Sequence, residues 1–147
     1  MIIENLKTIF NRDLNRLKNE IEAYEDESNL WHIAGDTKNS AGNLCLHLIG
    51  NLNTYIGAGL GKSGYIRNRE LEFSLKDVPK SDLLMMIEQT IKVVDESLSE
   101  LKDEDFAKEY PTLVFEEKTT IGFFLIHLTT HLTYHLGQIN YHRRLLD

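Results

Sequence analysis

The sequence predicts an all-α protein, a four-helix bundle with a long crossover between helices two and three, folded as a single domain over residues 1–147. Three observations predict it. Apolar residues recur three and four positions apart in four separate stretches, the spacing that puts one apolar stripe on each helix. Two of the connections between those stretches are long, which suits a bundle with crossovers. The length of 147 residues, with 41% hydrophobic and 27% charged residues, is that of one ordinary globular domain and excludes disordered, collagen-like and disulfide-scaffold chains.

The first helix is expected over residues 2–24, where Ile3, Leu6, Phe10, Leu14, Leu17, Ile21 and Tyr24 form the stripe. A polar stretch from Glu25 to Asn39 breaks the period. Ser40 is a good N-cap for a second helix over roughly 41–57, with Leu44, Leu48, Leu52 and Tyr55 on its inner side. Glycines 57, 59, 61 and 64 then stop helical order, and the segment Gly57 to Lys80 shows no long period, so it reads as a crossover. Pro79 and Ser81 announce a third helix, in which Leu84, Ile87, Ile91, Val94, Leu98 and Leu101 follow a heptad-like seam. Acidic residues 103–105 and Pro111 end it, Thr112-Leu113-Val114-Phe115 suggests a short extended strand, and Thr119 or Thr120 caps a last helix through Leu146.

Charge narrows the partners. With 16 Lys and Arg against 23 Asp and Glu the net charge is −7, and an acidic surface repels phosphate backbones, so no nucleic-acid partner is expected. The basic patch His142-Arg143-Arg144 is too small to reverse this. The longest apolar stretch, Ile121 to Leu128, is far short of the roughly 20 residues that span a bilayer, so no membrane association is expected. A lone cysteine, Cys45, and the lack of a signal-like apolar run at the N-terminus point to a cytoplasmic protein.

The string Gly59-Leu60-Gly61-Lys62-Ser63-Gly64 satisfies G-x-G-x-x-G. A dinucleotide fingerprint, however, must follow a strand and open a helix so that phosphate meets the helix N-terminus, and these glycines follow a helix instead. The string reads as a loop.

The histidines carry more chemistry. His127, His131 and His135 fall on one face of the last helix at i, i+4 and i+8. Neighbours four apart can present imidazoles to one ion, but the outer pair is about 12 Å apart along the axis, too far for metal–nitrogen bonds of about 2.0–2.1 Å. Two of the three can serve, and a third ligand must come from elsewhere. His47 is the best candidate, because it lies beside Leu44 and Leu48 on the inner stripe of helix two. Periodicity alone leaves the matter open, since an H-x-x-x-H pair at a bundle edge is equally served by backbone or water. His127, His131 and His135 are each followed by leucine, which excludes the H-E-x-x-H hydrolase pattern for them, and no Glu stands three residues before His47, His131 or His135, which excludes a ferritin-like di-iron site.

At Leu46-His47-Leu48-Ile49-Gly50-Asn51-Leu52, Arg67-Asn68-Arg69-Glu70-Leu71-Glu72-Phe73 and His131-Leu132-Thr133-Tyr134-His135-Leu136-Gly137-Gln138-Ile139, the chain resembles the DinB/YfiT-like family of metal-dependent enzymes. The resemblance implies a four-helix bundle holding one divalent ion, usually zinc or nickel, through one histidine on helix two and an H-x-x-x-H pair just before Gly-Gln. The matching residues are His47, His131 and His135. It further implies a cofactor thiol of low molecular weight, such as bacillithiol, mycothiol or glutathione, used by S-transferases or isomerases on a small-molecule substrate, and frequent homodimers. The heptad seam of helix three and Leu145-Leu146 permit a homodimer here.

On this reading Asn51, Gln138 and His127 are candidates to support the ligands from behind, and Arg67 and Arg69 to clasp an acidic substrate or thiol, unless they pair with Glu70 or Glu72. The turn between His131 and His135 lacks the acidic residue common in the family, so no general acid or base is assigned. Cys45 lies about 200° from His47 around helix two and reads as a small buried side chain. The competing reading is a non-catalytic bundle in which the ion staples helices two and four together. Histidine-ligated haem is disfavoured, because the H-x-x-x-H spacing suits one small ion.

Overall fold

A computed structural model describes all of residues 1–147, and the chain is entirely helical apart from connections. Helix α1 spans Ile2–Glu22, α2 Ala41–Leu52, α3 Arg69–Ser74, α4 Lys80–Ser99 and α5 Ile121–Leu146. Short 3-10 turns at Glu27–Trp31 and Asp103–Ala107 punctuate the connections. Helix α1 packs on α4 and α5, and α2 packs on α4, α5 and the short α3. No helix is long and apolar enough to cross a membrane.

The stripes expected from the sequence face inward. Ile3, Leu6, Phe10, Leu14, Leu17 and Ile21 of α1 are buried, as are Ile87, Val94 and Leu98 of α4. Each such side chain removed from water stabilises the fold by about 1.5–3 kcal/mol, so Leu17→Ala would open a cavity where α1 packs. Two caps form as the sequence suggests: Ser40 Oγ accepts from Asn43 N at 3.1 Å, and Thr120 Oγ1 from Phe123 N at 3.1 Å. The start of α1 has no local side-chain cap; Asp103, far along the chain, accepts from Ile3 N at 3.1 Å and pairs with the N-terminal ammonium.

Helix α2 is the innermost element, with all of its residues buried. A helix enclosed on every side must satisfy its polar side chains internally. Asn43 does so by donating to the carbonyls of Glu72 at 3.0 Å and Leu75 at 2.8 Å, which ties the end of α3 down onto α2. Asn53 donates to Thr90 Oγ1 of α4 at 2.9 Å. Helix α2 runs on as a π-helical turn over Asn53–Ala58, which accounts for its expected extent to residue 57.

Two expectations need correction. The crossover Gly57–Lys80 is not wholly irregular, because α3 forms within it, started by Asn68, whose Oδ1 accepts from Leu71 N at 3.4 Å. The segment 112–115 forms no strand: the chain makes one isolated antiparallel bridge, between Glu109 and Thr120, and nothing pairs with 112–115. An extended segment without a partner leaves its backbone groups to solvent.

Candidate metal centre

His47 lies in the middle of buried α2 and His131 and His135 one turn apart on α5, where the two helices pack. Their rings meet edge to face: centroids are 5.1 Å apart for His47 and His131, 5.3 Å for His47 and His135, and 4.6 Å for His131 and His135. One ring nitrogen from each lies within 4.8 Å of the others. His47 Nε2 and His131 Nε2 are 3.2 Å apart. Nitrogen ligands in a tetrahedral set with bonds of about 2.0–2.1 Å are about 3.3–3.4 Å apart, so this pair already has the span that one small ion requires.

The far sides of the rings decide which nitrogens are free. His47 Nδ1 faces Glu72 Oε1 at 3.1 Å, and His135 Nδ1 faces Gln138 Oε1 at 2.7 Å. Both acceptors place the ring proton on Nδ1 and leave Nε2 as a lone pair, the arrangement by which an outer oxygen orients a metal-binding imidazole. Burial, reinforced by the neighbouring His135, pushes the His131 pKa down to about 4. Burial also lowers that of His47, against the opposing hydrogen bond to Glu72. Both are therefore neutral near pH 7, the form that donates to a metal. His131 Nδ1 is buried with no hydrogen-bond partner. Three imidazole nitrogens suit zinc, nickel, copper or iron alike.

Glu72 is the site residue that the sequence reading did not single out. Its carboxylate is buried and receives two parallel bonds from Arg67, Nε to Oε2 at 2.8 Å and Nη2 to Oε1 at 2.9 Å. The alternative of an Arg67 ion pair with Glu72 is thus realised, and the pair bears on His47. The close approach depends on Gly50, since a Cβ there would lie 1.9 Å from Glu72 Oε2. A glycine inside a helix three residues after a histidine was the available signal, for it marks where another group comes near.

The other candidates separate. Gln138 supports His135 as described. His127 stands apart from the three: its exposed ring packs edge-on to Phe115, 5.0 Å between centroids, and stacks on Phe124. Asn51 orients none of the histidines, and its buried Oδ1 has no partner. Arg69 lies over the Phe73 ring, 5.4 Å from the centroid. Cys45 is buried, its thiol pushed up to about 12 by that burial, and is no ligand. His142 stands apart from the three, bonded through Nε2 to the backbone carbonyl of His32.

His47 and His131 line a cavity of about 300 Å³ together with Asn51, Arg67, Arg69 and His127. His135 lines a second, more apolar one of about 510 Å³ with Leu44, Tyr134, Gln138 and Tyr141. Fold and cluster define an all-helical protein in which three imidazoles from two helices converge beside a small cavity. A family model described as "Protein of unknown function (DUF1572)" matches residues 2–147, and the chain belongs to that family. No curated protein matches the chain.

Proposed function

We propose that the protein is a DinB-like four-helix bundle that binds one divalent metal ion, zinc or nickel, through His47, His131 and His135, and acts as a thiol-dependent S-transferase or isomerase on a small molecule. The observation that carries the reading is the convergence of three imidazoles, one ring nitrogen of each within 4.8 Å of the others, with two of the three rings in the wall of one cavity. When bound, a divalent ion held by three neutral nitrogens keeps its positive charge and supplies an open position at which a thiol or water loses its proton more readily. The chain's own residues prepare that position. Glu72 accepts the His47 Nδ1 proton and makes the ring a stronger donor, Arg67 fixes Glu72 from the other side, and Gln138 fixes the His135 ring. Phe115, Phe124 and Leu128 line the cavity and limit its water.

One observation favours the alternative of a metal-stapled, non-catalytic bundle: both Glu72 oxygens are engaged by His47 and Arg67, so no free carboxylate stands at the centre. The cavity over His47 and His131 argues against it, because structural sites are closed. Elemental analysis of protein prepared without chelator is expected to give about one divalent ion per chain, and none in His47→Ala and His131→Ala. In cobalt-substituted protein, a thiol such as glutathione or bacillithiol is expected to shift the visible spectrum. A spectrum unmoved by millimolar thiol would establish the stapled bundle instead.

A further inference from the structure

The part of the crossover that contains α3, residues 62–77, contributes almost nothing to the apolar core. Of these sixteen residues Glu72 alone is buried, Arg67 and Phe73 are half-buried, and the rest are exposed, Leu71 and Leu75 included. The three that are not exposed all meet His47. Glu72 Oε1 lies 3.1 Å from its Nδ1, Arg67 Nη2 lies 3.4 Å from the same nitrogen, and the Phe73 ring packs on the imidazole with centroids 5.0 Å apart. Apart from these contacts the segment is tied down by Asn43, which donates to the carbonyls of Glu72 and Leu75, and by Arg67 over the Tyr55 ring. Its two ends turn through left-handed backbone, Lys62 at φ 53° and Gly64 at φ 79° before the helix and Asp77 at φ 58° after it. A helix of six residues has no stability of its own, so α3 persists only while it is docked.

We infer that this segment is a latch coupled to the metal: an ion on His47 holds α3 in place, and α3 in place holds the ion. The coupling passes through one ring. With Nε2 bound to a cation the imidazole loses electron density and its Nδ1–H becomes a stronger donor, so the bond to Glu72 tightens. Linkage makes the effect mutual, one factor serving both directions. Arg67 and Arg69 of the same segment stand in the wall of the cavity over His47 and His131. Closing the latch therefore finishes that wall, and metal binding precedes the binding of a small molecule there. The inference rests on the metal centre of the proposed function and adds to it the order in which the site is assembled.

The test is hydrogen exchange read by mass spectrometry on the full chain, zinc-loaded and chelator-treated, with zinc content measured on each sample. Zinc is expected to slow exchange in a peptide covering residues 69–75 about tenfold or more, the size of a supporting contact behind a metal ligand, while peptides of α1 and α4 change less. Trypsin gives a second readout, since Arg67, Arg69 and Lys76 lie in or beside α3. It is expected to cut chelator-treated protein there first, and the zinc form at least about fivefold more slowly, because cleavage follows the population of the open segment. In Glu72→Gln, which keeps the shape of the side chain, most of the zinc-dependent protection is expected to vanish, and zinc to be held more weakly by about the factor lost. The wild-type comparison decides the matter even where the variant disturbs folding. Zinc that binds stoichiometrically yet slows α1, α4 and residues 69–75 alike overturns the latch and leaves the metal centre standing, the slowing then being the general stabilisation that any ligand of the folded state gives. Full zinc-dependent protection in Glu72→Gln also overturns it. A chain that takes up no zinc overturns the latch and the metal centre together.

Discussion

Two histidine sites lie along helix α5, and their hydrogen bonding differs. At its C-terminal end, His142 has both ring nitrogens occupied: Nδ1 lies 2.6 Å from Tyr24 Oη and Nε2 2.7 Å from the His32 carbonyl. The ring donates to the carbonyl and accepts from the phenol, and nothing of it is left over. Beside the middle of α5, His47 of α2 and His135 of α5 each use one nitrogen on an outer oxygen and turn the other toward a shared point, while His131 keeps a buried Nδ1 with no partner. The residue type is the same, and α5 contributes to both. A histidine whose hydrogen bonds close within the fold acts as a tie between elements, whereas histidines with nitrogens left over and converging describe a site. The sequence spacing, in which His142 recurs on the stripe of His131 and His135, does not make that distinction; the partners do.

The comparison can be broken most sharply by exchanging the losses. His135→Ala is expected to abolish stoichiometric metal with the helical content retained, and His142→Ala to leave the metal in place, both read by elemental analysis beside circular dichroism. Bound metal lost equally in both would erase the distinction. Next in size, Glu72→Gln is expected to weaken metal affinity about 10–100-fold in a chelator competition, since it removes the charged acceptor behind His47. Unchanged affinity would make Glu72 a packing residue only.

A smaller effect lies on the far side of the turn that carries the centre. Thr133, between His131 and His135, donates to Asp13 Oδ2 of α1 at 3.1 Å, and Arg12 and Arg16 pair with the same carboxylate. Burial would raise the Asp13 pKa, but the Arg12 and Thr133 hydrogen bonds and the arginine charges outweigh it and hold the group below its usual value. The folded pKa being depressed, the stabilisation is full above the unfolded value of about 3.9 and is lost as pH falls through the folded one. Urea unfolding of wild type against Asp13→Asn is therefore expected to differ by about 1–3 kcal/mol near pH 7, with the gap closing below about pH 4. A gap that widens in acid would contradict the sign. The smallest expected effect is that of Tyr24→Phe, about 1 kcal/mol for one hydrogen bond at the His142 tie, with metal content unchanged.

Much of the fold was legible because long amphipathic helices repeat their signal over several turns. The stripe of α1, the Ser40 cap and the seam of α4 all rest on such repetition or on strictly local chemistry. The pairing of His47 with two histidines of α5 was legible for a related reason: helix geometry limits which of His127, His131 and His135 can share a point, and burial of the Leu44 and Leu48 stripe turns His47 inward. Helix α3 escaped because six residues barely exceed one turn and carry no period. Glu72 escaped with it, since its role depends on Arg67, His47 and Gly50 meeting across two elements. Asp103, serving the start of α1 about a hundred residues away, leaves no trace in the local sequence. In the other direction, the segment Thr112-Leu113-Val114-Phe115 promised a strand that has no neighbour with which to pair.

The contact between Gly50 and Glu72 bears on how this centre can vary among relatives. A side chain at position 50 and a long carboxylate at position 72 compete for the same few ångströms, so the two positions are coupled. A family member with alanine or larger at the first is expected to carry a shorter residue at the second, and with it a different partner for the histidine of α2. Glycine together with glutamate at these two positions therefore marks, in sequence alone, the members that hold this histidine as this chain does.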